Sequence, residues 1–313
     1  MDDNPTTLRQ INSNTRYCAL IGYPVRHSAS PAFQNAGMMA MGLNWRYLAL
    51  EVCPENIETA IAGAKSMGFV GLNLTVPHKE SAFKLVDEVS EPSQILKSIN
   101  TIKFEGLNTN GNWQSIQEFQ NEYPKQIKSI GYNTDAEAIP KAIKEELGFD
   151  FIHSKILILG AGGAGRVAAL RLAKEGIDTL YIVNRTQEKA ERLRNEINHH
   201  YPSIKIKLGY PELSAKIDLI INATSLGLKS NDPLPCDLSS FSFKQTQFAF
   251  DMIYRPARTP FLAYAENAGC KIANGMNMLL YQGVESLKIW SGEFVPVEIM
   301  RKALIENIYP KQS

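Results

Sequence analysis

"KILILGAGGAGRVAALRLAKEGIDTLYIVNRT", Lys155 to Thr186, decides the fold. It reads as strand, glycine turn, helix, strand. Gly160, Gly162 and Gly165 stand in GxGxxG spacing, directly after an apolar run and at the head of a helical one. That context turns a common pattern into a dinucleotide-binding signal. Glycines here let the backbone turn tightly and approach a pyrophosphate, with the helix N-terminus facing the anion. The expected cradle is Gly160, Ala161, Gly162, Gly163, Ala164 and Gly165. A turn serving only tight helix–strand packing is the alternative.

The second strand of the stretch ends in Asn184, Arg185 and Thr186. An NAD-preferring site carries Asp or Glu near this point to hold the ribose 2′-hydroxyl. A carboxylate repels a 2′-phosphate, whereas a guanidinium pairs with it. Thr186 adds a hydroxyl donor and Lys189 a second cation one helical turn on. The expected cofactor is NADP(H). The competing reading leaves Arg185 and Lys189 as ordinary surface charges.

Outward from this unit, strands and helices keep alternating. "IDLIINATS" and "FAFDMIY" read as strands, and "TPFLAYAENAG", "NMLLYQGVESLKIWSG" and "PVEIMRKALIENI" as helices. Upstream, "RYCALIGY", "WRYLALEV" and "FVGLNLTV" read as strands separated by two helices. The first of these helices has Ser30 as its expected N-cap, Pro31 at its first position, and Phe33, Ala36, Ala40 and Met41 on one face. "DAEAIPKAIKEELG" reads as a helix in which Pro140 conflicts with a start at Asp135. Residues 104–130 are polar and weakly periodic, and read as an insertion carrying a hairpin or a loose helix. Alternating strands and helices imply an α/β chain with mostly parallel sheets.

Bulk composition excludes other classes. The 313 residues suffice for two domains, and the formal net charge of +1 gives no field for nucleic acid or acidic membranes. There is no apolar run of about 18 residues and no signal-peptide pattern at the N-terminus, which reads as a short flexible arm. The cysteines, Cys18, Cys53, Cys236 and Cys270, form no CxxC pair, so neither a metal site nor a disulfide framework is expected. A reducing cytoplasm is the natural compartment.

An ordered set of motifs then resembles the shikimate dehydrogenases: "GYPVRHSASP", "GLNLTVPHK", "SINT", "NTD", "GAGGAG", "NRT", "NATSLG", "DMIYRPARTP" and "MLLYQG". The resemblance runs from about Tyr17 to the last helix. It implies reversible NADPH-dependent reduction of 3-dehydroshikimate to shikimate, a step toward chorismate and the aromatic amino acids. It also implies a substrate-binding domain, residues 1–134 plus 276–313, and a Rossmann-type NADP-binding domain, residues 135–275, with the site in the cleft between them. By this resemblance Lys79 is the acid/base and Asp135 its partner. Ser28 and Ser30 take the substrate carboxylate, with Tyr254 near it. Thr75, Asn100 and Gln282 take ring hydroxyls. Thr224, Met252 and Gly275 join the cofactor contacts, and His78 is structural.

Some positions depart from the family pattern: Gln34-Asn35 in place of His-Asn, Ala136 and Ala138 around Glu137, Asn277, and the long insertion. They bear on substrate choice, since related enzymes use quinate. The rivals are a broader quinate/shikimate dehydrogenase, a glutamyl-tRNA reductase and a non-catalytic NADPH sensor. The second needs a nucleophilic cysteine in a motif this chain lacks. The third would tolerate loss of Lys79 or Asp135, and both are present. The partner expected is a small molecule, the assembly a monomer or homodimer.

Overall fold

The computed structural model describes residues 11–119, 123–229 and 231–310. Most of the expected N-terminal arm, residues 1–10, lies outside the described residues. The chain divides into two compact units, Met1–Thr134 with Gln282–Ser313, and Asp135–Tyr281.

The first unit opens with β1 (Arg16–Gly22), α1 (Ser30–Ala40), β2 (Trp45–Glu51), α2 (Ile57–Ser66) and β3 (Gly71–Leu74). Two βα crossovers make β2, β1 and β3 parallel neighbours. Then come α3 (Lys79–Phe83), β4 (Glu88–Val89), α4 (Glu91–Leu96), β5 (Thr101–Leu107), β6 (Trp113–Ser115) and β7 (Ile127–Tyr132). β5 is antiparallel to β3, β6 and β7, giving the order β2-β1-β3-β5-β7-β4 with β6 beside β5. β5, running against both β3 and β7, is what makes this sheet mixed. Of the two readings of residues 104–130 the hairpin, β5 with β6, is the one observed.

The second unit runs α5 (Thr134–Leu147), β8 (Lys155–Leu159), α6 (Gly163–Ala173), β9 (Thr179–Val183), α7 (Gln187–His200), β10 (Lys205–Leu208), β11 (Ile217–Asn222), β12 (Thr246–Asp251), α8 (Pro260–Asn267) and β13 (Lys271–Asn274). All its strand pairs are parallel, in the order β10-β9-β8-β11-β12-β13. The order reverses direction between β8 and β11, the switch point of a doubly wound sheet. Pro140 sits inside α5, so the helix passes through the proline rather than starting at it.

α9 (Met276–Ser291) and α10 (Val297–Ile308) complete the chain, and α10 packs on α1. This contact corrects the expected face of α1. Its buried positions are Ser30, Phe33, Gln34, Gly37 and Met38, while Ala40 is exposed. Gly37 lets α10 approach, since a Cβ there would lie 2.8 Å from Met300 Sδ. Gln34 can be buried because its Nε2 donates to the Gly283 carbonyl at 2.9 Å. Ser30 is also not the N-cap. That position is Ala29, and Ser28 Oγ instead accepts the Ser30 N–H at 3.2 Å.

The insertion caps helices. Gln117 Nε2 donates to the Trp290 and Ser291 carbonyls at the end of α9, at 3.1 and 3.4 Å. Tyr123 OH donates to the Lys65 and Ser66 carbonyls at the end of α2, at 3.0 and 2.9 Å. Carbonyls in a last helical turn have no partner within the helix, so these bonds satisfy groups the helices cannot.

Candidate active site

In the first unit, sheet direction gathers the candidates. β1 and β3 are parallel and β5 runs against β3. The C-terminal ends of β1 and β3 and the N-terminal end of β5 therefore share one edge. β7, antiparallel to β5, ends there too, at Tyr132. The loop after β1 carries Ser28 and Ser30, the loop after β3 carries Thr75 and Lys79, Asn100 precedes β5, and Thr134 follows β7. Gly22 is required at the mouth, because a Cβ on it would meet Thr75 Cγ2 at 2.4 Å. The Lys79 carbonyl accepts the Ile99 N–H at 3.0 Å and fixes α3 beside Asn100. His78 is buried, its Nε2 2.8 Å from the Val52 carbonyl. Lys79, beside it, stays partly accessible.

Asn73, the polar residue within the apolar β3, is the hub of a buried layer that the sequence reading missed. Its Oδ1 accepts from Tyr47 OH at 2.8 Å. Its Nδ2 faces the Asn100 carbonyl at 3.1 Å and Thr101 Oγ1 and Ser286 Oγ at 2.9 Å each. An Asn in a strand that buries all its neighbours was the available signal, since a buried amide has to find partners. The layer also holds Asn100. Its Oδ1 already accepts from the Thr134 N–H at 2.8 Å and from Thr134 and Thr101 hydroxyls at 3.1 Å. The protein itself thus supplies most of its partners. Its Nδ2 donates to Thr134 Oγ1 at 3.0 Å and lies 3.5 Å from Gln282 Oε1, which leaves the Gln282 side as its adaptable end.

Asp135 and Tyr254 belong to the second unit. Asp135 is buried in the first turn of α5. A helix N-terminus favours a carboxylate. Tyr254 is half-buried in the loop after β12, and burial pushes its phenol above the ordinary range, an effect the Arg255 charge partly offsets.

The second unit carries the glycine turn. Gly160, at φ +105°, takes a conformation open mainly to glycine, and a Cβ on Gly165 would lie 2.1 Å from the Gly160 carbonyl oxygen. These two glycines serve the turn and the strand–helix contact. Gly162 and Gly163 differ, since a Cβ on either would meet nothing within 4 Å. With Ala164 they form an exposed run at the N-terminus of α6. Unpartnered N–H groups here face open space, which fits a pyrophosphate.

Asn184 Oδ1 accepts the Ala161 N–H at 2.9 Å, and its Nδ2 donates to the Thr186 carbonyl at 2.7 Å. Asn184 therefore staples the glycine turn to the loop that presents Arg185. Arg185, Thr186 and Lys189 are exposed along a cleft of about 470 Å³ that Gly160, Gly162 and Thr224 also line. Among the described residues neither Arg185 nor Lys189 has an ion-pair partner, so both charges are available to a phosphate. Open glycines and two unpaired cations fit NADP(H). Thr224 is on the cleft, but its hydroxyl is committed: it donates to Asn222 Oδ1 at 2.8 Å and accepts the Leu226 N–H at 3.1 Å. Gly275 is required by packing, as a Cβ there would lie 2.1 Å from the Met252 carbonyl oxygen. Among the described residues no His, Cys, Asp and Glu group could hold a metal, and no helix is long and apolar enough to cross a membrane.

Comparison with known proteins gives the same direction. The chain matches the family models "Shikimate dehydrogenase substrate binding domain" over residues 20–102, "Shikimate / quinate 5-dehydrogenase" over 141–229 and "Shikimate 5'-dehydrogenase C-terminal domain" over 275–305. It is 37% identical over 303 residues to the NADP(+) shikimate dehydrogenase of Methanopyrus kandleri, covering 95% of this chain and 98% of that one. A crystal structure of a shikimate dehydrogenase in complex with NADP+ aligns with a TM-score of 0.81 at 36% identity, over 96% of this chain and 98% of that one. The Thermus thermophilus shikimate 5-dehydrogenase, solved with NADP(H) and shikimate, aligns at 0.76 with 28% identity, over 93% and 99%. With more than a third of its residues shared along nearly the full length of such a relative, the chain belongs to the shikimate dehydrogenase family.

Proposed function

We propose that the protein catalyses the reversible NADPH-dependent reduction of 3-dehydroshikimate to shikimate, as a cytoplasmic monomer or homodimer. The observation that carries this reading is the shared sheet edge that presents Ser28, Ser30, Thr75, Lys79 and Asn100 together. NADP(H), when bound, supplies the hydride exchange at the ring carbon. The chain supplies the rest. Lys79 gives a proton to the developing alkoxide in reduction and takes it back in oxidation. Asp135 favours the charged ammonium and orients it toward the ring oxygen.

Ser28 and Ser30 receive the substrate carboxylate. Ser28 Oγ accepts the Ser30 N–H, so its own hydrogen remains to donate. Asn100, its Oδ1 held by Thr101 and Thr134, offers its Nδ2 on the Gln282 side to a ring hydroxyl, and Gln282 and Thr75 offer further polar groups to the ring hydroxyls. Tyr254, kept a neutral phenol by burial, is a hydrogen-bonding partner near the carboxylate. Arg185 and Lys189 pair with the 2′-phosphate and Thr186 adds a hydrogen bond. Gly162, Gly163 and Ala164 offer their N–H groups to the pyrophosphate. Asn184 and Thr224 hold the loops around it, and Met252 and Gly275 form the backbone wall on the nicotinamide side.

The test is Lys79→Ala. Loss of an acid/base group costs about a hundredfold to ten-thousandfold in turnover. NADPH binding, followed by its fluorescence, should stay within about threefold of wild type, since a 2′-phosphate contact carries no share of Lys79. Near-normal turnover of shikimate with NADP+ in this variant would remove Lys79 from the chemistry.

A further inference from the structure

The end of β12 holds a buried charge that the reaction scheme does not use. Asp251 is 0% exposed. Its Oδ1 accepts from Asn222 Nδ2 at 3.1 Å and from the Ile253 N–H at 3.0 Å, and its Oδ2 accepts from Thr259 Oγ1 at 2.6 Å. Every one of these neighbours is a donor. Thr259 Oγ1 accepts the Leu262 N–H, so its own hydrogen points to Asp251, and the second Asn222 hydrogen goes to the Leu226 carbonyl. The surroundings therefore suit the ionised carboxylate, which needs donors only. Among the described residues no Lys, Arg or His forms an ion pair with it. A fold that buries a carboxylate without a cation accepts a desolvation cost, and such placements gather at functional sites.

Strand order says which half of the sheet carries this charge. A dinucleotide lies across the carboxyl ends of a doubly wound sheet, one nucleotide over each half. Arg185 and Lys189 follow β9 and mark the β10-β9-β8 half as that of the phosphorylated adenosine. The nicotinamide nucleotide then belongs to the β11-β12-β13 half. There the register aligns Asn222, Asp251 and Asn274 across the strand ends.

We propose that the Asp251 carboxylate is a counter-charge for the nicotinamide ring, favouring the oxidised, cationic cofactor over the reduced, neutral one. The inference rests on the NADP-dependent reading above. Both cofactor forms carry the same phosphates, so the ratio of their dissociation constants isolates the charge on the ring. Removing the carboxylate weakens NADP+ and spares NADPH. Asp251→Asn removes the charge at nearly constant shape. Its amide oxygen keeps the Ile253 N–H and Asn222 bonds, while its amide nitrogen displaces the hydrogen that Thr259 donates there, a loss that Thr259→Val reproduces without the change of charge.

The experiment titrates wild type, Asp251→Asn and Thr259→Val with NADP+ and with NADPH, by calorimetry and cofactor fluorescence. Asp251→Asn should raise the NADP+/NADPH ratio of dissociation constants about fivefold or more, the scale of one charge acting through protein. Thr259→Val removes a hydrogen bond but keeps the charge, so it should leave the ratio unchanged even where both affinities fall. Asp251→Ser repeats the measurement if the amide variant does not fold. An unchanged ratio in Asp251→Asn overturns the proposal. So does an equal shift in Thr259→Val, because the ratio would then report loop geometry. If wild type binds neither form, the NADP-dependent reading itself fails and the proposal falls with it.

Discussion

The proposed pairing of Arg185 and Lys189 with the 2′-phosphate separates cofactor choice from chemistry. Replacing both with Ala should raise the KM for NADP+ by about ten- to a hundredfold, the worth of one or two charge-assisted contacts. NAD+ lacks the 2′-phosphate and should be used as before, which initial rates with each cofactor will show. Asp251 provides a pH prediction. Burial raises its carboxyl above the usual range, against the opposing hydrogen bonds from Thr259, Ile253 and Asn222. The folded chain thus holds this proton to higher pH than the unfolded chain. Stability from this group is greatest below the ordinary carboxylate pKa and falls as pH rises through the folded value. Asp251→Asn should flatten that slope in urea melts over the same window. At this scale the sequence reveals charges better than partners. The exposed place of Arg185 on the cleft is legible because it stands at the strand end that follows the glycine turn. The commitment of Asn184 and Thr224 to their own loops is not, since amide and hydroxyl bonds depend on where the chain brings other groups.

Elements were readable wherever one periodicity dominated. The turn from β8 into α6, the strands β1 to β3 and the last helices follow from apolar spacing and glycine. The face of α1 does not, because Gly37 and Gln34 look like solvent or stop residues until α10 and Gly283 are brought against them. β13 was missed, being a short strand at the end of the parallel order with little pattern of its own. The insertion is legible only as a hairpin or a loose helix, and its bonds to helix ends are not legible at all. Gln117→Ala and Tyr123→Phe should each lower unfolding free energy by about 1 kcal/mol, the net worth of such bonds, without altering turnover. Gly71→Ala is more severe, because its Cβ would lie 2.1 Å from Trp290 Nε1 and 2.4 Å from the Ile102 carbonyl oxygen. Overpacking of this kind costs about 1–3 kcal/mol, which denaturant midpoints will register.

At the scale of the molecule, each unit has a task its topology suits. The first sheet turns mixed so that strand ends from both directions present polar groups at one edge. The second stays parallel and places its glycine turn and Arg185 beside the switch point. A cofactor that binds only the folded chain stabilises it, by about 2.7 kcal/mol at a hundred times its dissociation constant. NADP+ should therefore raise the melting temperature, and at equal concentration NAD+ should raise it less. The α/β class is available from the sequence because strand–helix alternation persists through most of the chain. The mixed order of the first sheet is not, since the antiparallel pairing of β3 with β5 joins residues such as Gly71 and Lys103 that lie far apart in sequence.

The most direct measurement of the central claim is a set of initial rates with purified protein, crossing shikimate and quinate with NADP+ and NAD+. A strong rate is expected for shikimate with NADP+ alone. A comparable rate with quinate or NAD+, or no rate in any combination, would contradict it.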